Sequence, residues 1–174
     1  MCQNILLLSF KGEQTVLTYY LLSVNIYVLG IHYASNNICL VYTWTEFEIN
    51  KGINNISSCL CCWINDKGWY SQSYCKNHKV PEIDILVDNC GVQKKNNLMI
   101  HFLNMINEGG LFGTYTLHLY IKGHTKNDYD HAFNSLKVIY RKQNVFTFEK
   151  CCEILNTINN VEVIQMYHEN FSDL

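Results

Sequence analysis

Apolar positions along this chain fall into two kinds of run. Asn25–His32 (NIYVLGIH) and Ile38–Trp44 (ICLVYTW) are short and dense in β-branched and aromatic residues, with the turn-forming Ala34-Ser35-Asn36-Asn37 between them. They predict a β-hairpin. Glu82–Asp88, after Pro81, predicts another strand, and Thr114–Lys122 (TYTLHLYIK) alternates as a further one. The second kind of run has helical spacing. Ile49, Ile53, Ile56, Leu60 and Trp63 recur at intervals of 4, 3, 4 and 3, which draws one apolar face. Thr45 and Glu48 stand at capping-box spacing ahead of it, with Glu46 and Phe47 near the start and Gly52 inside. Leu98, Met99, Phe102, Leu103 and Ile106 mark a helix over about Gln93–Glu108, stopped by Gly109-Gly110. Thr125-x-x-Asp128 opens another that runs to about Lys142 and buries Tyr129, Phe133 and Leu136. Thr147–Ile158 predicts a last helix, and Val161–Tyr167 a last short strand or a packed tail. Residues 1–25 lack a clean period. Ile5–Phe10 can form a short strand, and Thr15–Leu22 reads as either helix or strand.

The resulting order is β, β, α, β, α, β, α, then α and a short end, which predicts an α/β fold with a mixed sheet and an antiparallel hairpin at one side. A chain of 174 residues suits a single domain over 1–174. One proline and nine glycines leave little room for linkers. The run Val16–Leu29 carries Thr18, Ser23 and Asn25 and fits a buried strand better than a membrane span. No basic segment or small-residue cleavage site accompanies the apolar N-terminal runs, so neither secretion nor a membrane partner is expected.

A net charge of −2 excludes a strongly basic nucleic-acid module. A locally basic groove stays open, because Lys94, Lys95, Lys122, Lys126, Lys137, Arg141 and Lys142 all lie in the second half. Nine cysteines suggest a disulfide scaffold until their positions are read. Cys39, Cys59, Cys61 and Cys152 sit within apolar segments, and the count is odd. Reduced thiols in a nuclear or cytoplasmic protein are expected.

Three constellations can carry chemistry. Asp88 ends one predicted strand, and Asp130 sits in the first turns of the helix that follows the neighbouring strand, an order that would bring both to the carboxyl edge of the sheet. Two carboxylates there can share Mg²⁺ or Mn²⁺. The competing reading makes Asp88 a turn former and Asp130 a solvated helix residue. Asn89, Gln93, Lys94, Lys95 and Asn96, with His124, Thr125 and Lys126, can contact phosphates, or can form an ordinary polar loop and helix face. Cys59, Cys61 and Cys62 with Cys75-x-x-His78 can be weighed as a zinc site, but no paired C-x-x-C motif accompanies them. No nucleophile elbow, Walker or Rossmann glycine pattern is present. His101, His118 and His131 lie within predicted elements and read as structural or surface residues.

DNCGVQKKNN at 88–97 resembles the D-N-C-x-x-Q-x-K-N motif of a eukaryotic family of transposon-derived proteins, and GHTKNDYD at 123–130 its G-H-T-x-x-x-x-D motif. Gly30-Ile31-His32, Trp44 with Glu46, and Ser58-Cys59-Leu60 match it too, over about residues 1–142. The family is catalogued as a domain of unknown function and is similar to the ribonuclease H-like cores of DDE/D transposases and integrases. The resemblance implies a ribonuclease H-like core over about 1–142 and a C-terminal helical extension over about 145–174. It implies two-metal cleavage or strand transfer on DNA, with Asp88 as the second catalytic acid and Asp130 as the third. The family's first acid precedes a segment like Cys2-Gln3-Asn4-Ile5, and the chain begins at Met1. The expectation is therefore a core whose first strand is missing or replaced by Ile5–Phe10. That implies a truncated or domesticated copy, or an incomplete gene model. A catalytically inactive module that binds nucleic acid or protein is the alternative.

Overall fold

The computed structural model describes residues 2–6, 24–33, 37–50, 52–67, 82–87, 97–109, 114–119, 134–135, 138–139, 142–143 and 145–172. The described elements are six strands, three α-helices and a short 3₁₀ turn, in a mixed α/β arrangement. Contacts divide the chain into two compact units, Met1–Lys51 with Lys126–His168 and Gly52–Thr125 with Glu169–Leu174.

The first unit is built on the predicted hairpin. β2 (Asn25–Tyr33) and β3 (Ile38–Thr45) pair antiparallel from Ile26↔Thr45 to Tyr33↔Ile38. At the turn Asn37 adopts φ 54°, a left-handed conformation that asparagine tolerates, and its Oδ1 lies 3.0 Å from His32 Nε2. β1 (Cys2–Leu6) lies antiparallel on the other side of β2, with Cys2 opposite Leu29 and Leu6 opposite Asn25. The strand expected at Ile5–Phe10 thus begins at Cys2, and residues 7–10 lie outside the described residues. Five residues are too few to show a period, and long-range pairing sets the register. β6 (Val161–Gln165) runs parallel to β3, giving the order β1-β2-β3-β6.

β2 and β3 read as near-continuous apolar runs because both faces of this sheet are buried. Tyr27, Leu29, Leu40, Tyr42 and Trp44 line one face, where Tyr27 and Trp44 are cross-strand partners with ring centroids 5.8 Å apart. On the opposite face Ile26, Val28, Cys39 and Val41 pack in one cluster with Val145, Cys151, Ile154 and Leu155. The last three belong to α3 (Phe148–Asn156). This helix starts as its sequence dictates: the Thr147 hydroxyl accepts the Lys150 N–H at 3.2 Å, and Glu149 adds negative charge to the first turn. Thr43 is fully buried, and its hydroxyl reaches the Ile164 carbonyl at 3.5 Å and Cys152 Sγ at 3.7 Å. Residues 145–165 therefore complete the first sheet and its core.

β6 meets β3 through Cys39 N–H to the Asn160 carbonyl and Met166 N–H to the Thr43 carbonyl, each 2.8 Å. Asn160 makes the entry with φ 61°. Two N–H groups on the outer side of β6 are satisfied by its own connection: Val161 donates to the Ile158 carbonyl at 3.2 Å and Val163 to Asn156 Oδ1 at 3.1 Å.

One expectation needs correction. The helix predicted to open at Thr45 begins at Ile53, and α1 spans Ile53–Asp66. Thr45 is the last residue of β3, Glu46–Glu48 form a turn, and Gly52 is the N-cap, with an extended backbone. The capping box loses to longer-range partners. Glu46 accepts from Asn25 N–H at 3.1 Å and from Asn25 Nδ2 at 2.8 Å, while its own N–H donates to the Asn25 carbonyl at 3.0 Å. Glu48 accepts from the His168 N–H at 2.7 Å.

The Asn25 hydrogen bonds hold the Glu46 carboxyl below the usual carboxylate range. A depressed folded value stabilises the fold above the unfolded value, and the contribution is lost as pH falls through the folded one. Glu46→Gln is therefore expected to lower the urea midpoint at pH 7, and the difference should shrink below about pH 4.3. A difference that grows on acidification would refute the clamp. Leu155 is fully buried in the α3 cluster, so Leu155→Ala should cost about 2–5 kcal/mol in the same denaturation experiment.

Candidate nucleic-acid and metal site

The second unit carries the scaffold of the predicted site. β4 (Glu82–Val87) and β5 (Thr114–Leu119) alternate as the sequence implies. Ile83 and Ile85 of β4 and Tyr115 and Leu117 of β5 are half-buried, while Glu82, Asp84, Leu86, Thr114, Thr116 and His118 are exposed. α2 (Asn97–Glu108) presents Phe102, Leu103 and Ile106 as its buried stripe. α1 contributes Trp63 and Ile64, both buried. Between these side chains and the inner face of β4–β5 lies an apolar void of about 20 Å³, bordered by Leu60, Ile83, Ile85 and Tyr115 among others. Its apolar lining gives water no hydrogen-bond partner, and its volume is far below that of a ligand pocket. It belongs to the core.

β4 and β5 run parallel and in register, from Glu82↔Thr114 to Val87↔Leu119. The intervening α2 is the connection that parallel pairing requires. The described stretches are thus level with each other, and the carboxyl edge is where open α/β sheets bind ligands. Asp88 follows Val87 directly in sequence, and the GHTKNDYD segment begins at Gly123, four positions after Leu119. In sequence, one polar motif follows β4 directly and the other follows β5 after three further residues.

The predicted site residues themselves lie outside the described residues: Asp88, Asn89, Gln93, Lys94, Lys95, Asn96, His124, Thr125, Lys126 and Asp130. So do Cys75 and His78. Of the expected helix from Thr125, residues 134–135 and 138–139 are described, and they are helical. Among the described residues, no group of three or more His, Cys, Asp or Glu side chains is placed to hold a metal ion. Among them, too, no helix is long and apolar enough to cross a membrane.

Two polar contacts in this unit escaped sequence reasoning. His118 Nε2 lies 3.1 Å from Asp84 Oδ1 on the exposed face of the strand pair, and Tyr115 donates to Asn104 Oδ1 at 2.6 Å. Strand parity assigns Asp84 and His118 to one face but cannot show that they meet, because that requires the register of β4 against β5. Both side chains are more than half exposed, so this contact adds little to stability.

Cys39, Cys59, Cys61, Cys62, Cys151 and Cys152 are free thiols. Burial pushes Cys39 up to about 11 and Cys151 up to about 12, and it raises Cys152 and Cys62 as well. A buried thiol held in its protonated form is a poor nucleophile. Cys39 and Cys151 should resist iodoacetamide at pH 8 until urea unfolds the chain, while the half-buried Cys61 and Cys62 react first, as read by peptide mass mapping. Because the folded values lie above the unfolded value of about 8.5, the folded state holds more protons as pH rises through that range. Stability should therefore fall from about pH 9 upward, and a rise would contradict the burial of these thiols.

A family model described as Domain of unknown function (DUF7869) matches residues 19–172. No curated protein and no solved structure matches the chain.

Proposed function

Because the chain belongs to the family described as Domain of unknown function (DUF7869), we propose a function from its own residues: a ribonuclease H-like domain of transposon origin, related to transposase and integrase cores. Its ancestral chemistry in this reading is phosphodiester cleavage or strand transfer on DNA. The observation that supports the reading is the parallel pair β4–β5, in register from Glu82↔Thr114 to Val87↔Leu119, with a polar motif later in sequence after each strand. The element order supports it: three antiparallel strands, α1, then β4, α2 and β5. β6, parallel to β3, is an addition to that order.

In this reading Asp88 and Asp130 hold Mg²⁺ or Mn²⁺, since carboxylate oxygens are the donors hard divalent cations prefer. The bound ions supply the charge that activates an attacking oxygen and stabilises the leaving one. Lys94, Lys95 and Lys126 neutralise phosphates, and Asn89, Gln93, Asn96, His124 and Thr125 supply hydrogen bonds to the backbone. DNA is the partner, and the protein is nuclear or cytoplasmic.

The second reading is a catalytically inactive module that binds nucleic acid or protein. It is favoured by one fact: within these residues the family resemblance matches two of the three acids that such cores use. The two readings separate in one experiment. The enzymatic reading expects the folded chain to nick or join plasmid DNA in Mn²⁺, and expects Asp88→Asn and Asp130→Asn to abolish this while circular dichroism stays unchanged. A folded chain that leaves DNA intact and shows no heat of Mn²⁺ binding in calorimetry would sink it.

A further inference from the structure

Phe47 is the most exposed large apolar side chain among the described residues, at 78%. A single exposed apolar residue is ordinary; the way this one is held is not. It sits at the middle of the Glu46–Glu48 turn, and both neighbours are tied down. The Glu46 carboxylate accepts from Asn25 N–H and from Asn25 Nδ2, and the Glu46 N–H donates back to the Asn25 carbonyl. The Glu48 N–H donates to the Thr45 carbonyl, and the Glu48 carboxylate accepts from the His168 N–H. Five hydrogen bonds thus fix the backbone and carboxylates on either side of a ring that points into water. Tyr167, 48% exposed, precedes His168 and so stands one residue from the same Glu48 hydrogen bond.

We propose that Phe47, presented on this pinned turn, is an anchor that inserts into an apolar pocket of a partner protein rimmed by lysine or arginine side chains. Aromatic anchors surrounded by polar contacts dominate binding energy, and a pre-organised loop pays less ordering entropy on docking. The choice of partner follows from charge. Glu46 and Glu48 flank the ring with two carboxylates, and the Asn25 bonds favour the ionised form of the first. Those charges repel phosphates and complement a basic rim, so the surface selects a protein rather than a nucleic acid that would stack its bases on the ring. The inference is independent of the nuclease reading, since it uses no residue of the two polar motifs.

The test is site-specific crosslinking of the full chain in cells that express it. Phe47→p-benzoylphenylalanine is compared with the same change at Val138, which is 50% exposed elsewhere on the surface. The expected result is an adduct with one protein, formed from position 47 and not from 138. The adduct should map to a peptide whose apolar residues are flanked by Lys or Arg. With that protein purified, Phe47→Ala should weaken binding by about thirtyfold, Phe47→Tyr should retain it, and both variants should keep the parent urea midpoint. The proposal is overturned by the absence of an adduct, by equal adducts from both positions, by a crosslink to nucleic acid, or by Phe47→Ala binding within about twofold of the parent.

Discussion

Eight cross-strand pairs tie β2 to β3, and neither strand has a solvent face on which to carry charge. The rest of the first unit meets that constraint. One face needs an apolar cover, which α3 supplies through Cys151, Ile154 and Leu155. The backbone of β2 needs a partner on its far side, which β1 supplies, and that of β3 needs another, which β6 supplies. The constraint also explains the cysteines. A small, weakly polar side chain suits a position such as Cys39 or Cys151, where a larger one would overpack and a more polar one would need a partner. The same burial that makes these thiols good packing groups leaves them poor nucleophiles.

How far the sequence discloses this arrangement depends on the range of the interaction concerned. The hairpin was legible because dense apolar runs and an asparagine-rich turn sit side by side. α3 was legible because Thr147 and its apolar period are local, and β4 and β5 because alternation is a property of one strand. The start of α1 was not. Thr45 and Glu48 have the right spacing for a capping box, but β3 extends through Thr45 and Glu46 turns to Asn25, 21 positions away in sequence. No local pattern shows that competition. β1 was hidden for the same reason, since its register exists only against β2. At the candidate site the sequence went further than the described fold. It marks Asp88 and Asp130 by motif, whereas the described residues supply the strands that precede them.

The two units divide the chemistry between them. The second holds a parallel strand pair over a dry core, which is the kind of rigid support that positions loops at a carboxyl edge. The first holds the pinned turn with its exposed ring. The hydrogen-bonded residues of the turn are Glu46 and Glu48, and Val87 and Leu119 form the last described pair of the two parallel strands.

Asn156 gives the first sheet a property that its topology alone would not. By accepting the Val163 N–H, and with Ile158 accepting that of Val161, the connection from α3 occupies two donors that β6 would otherwise offer to any passing strand. A strand approaching that side finds two of the donors of β6 already engaged, and a helix terminus does part of the work that a proline or a lysine does on other sheets.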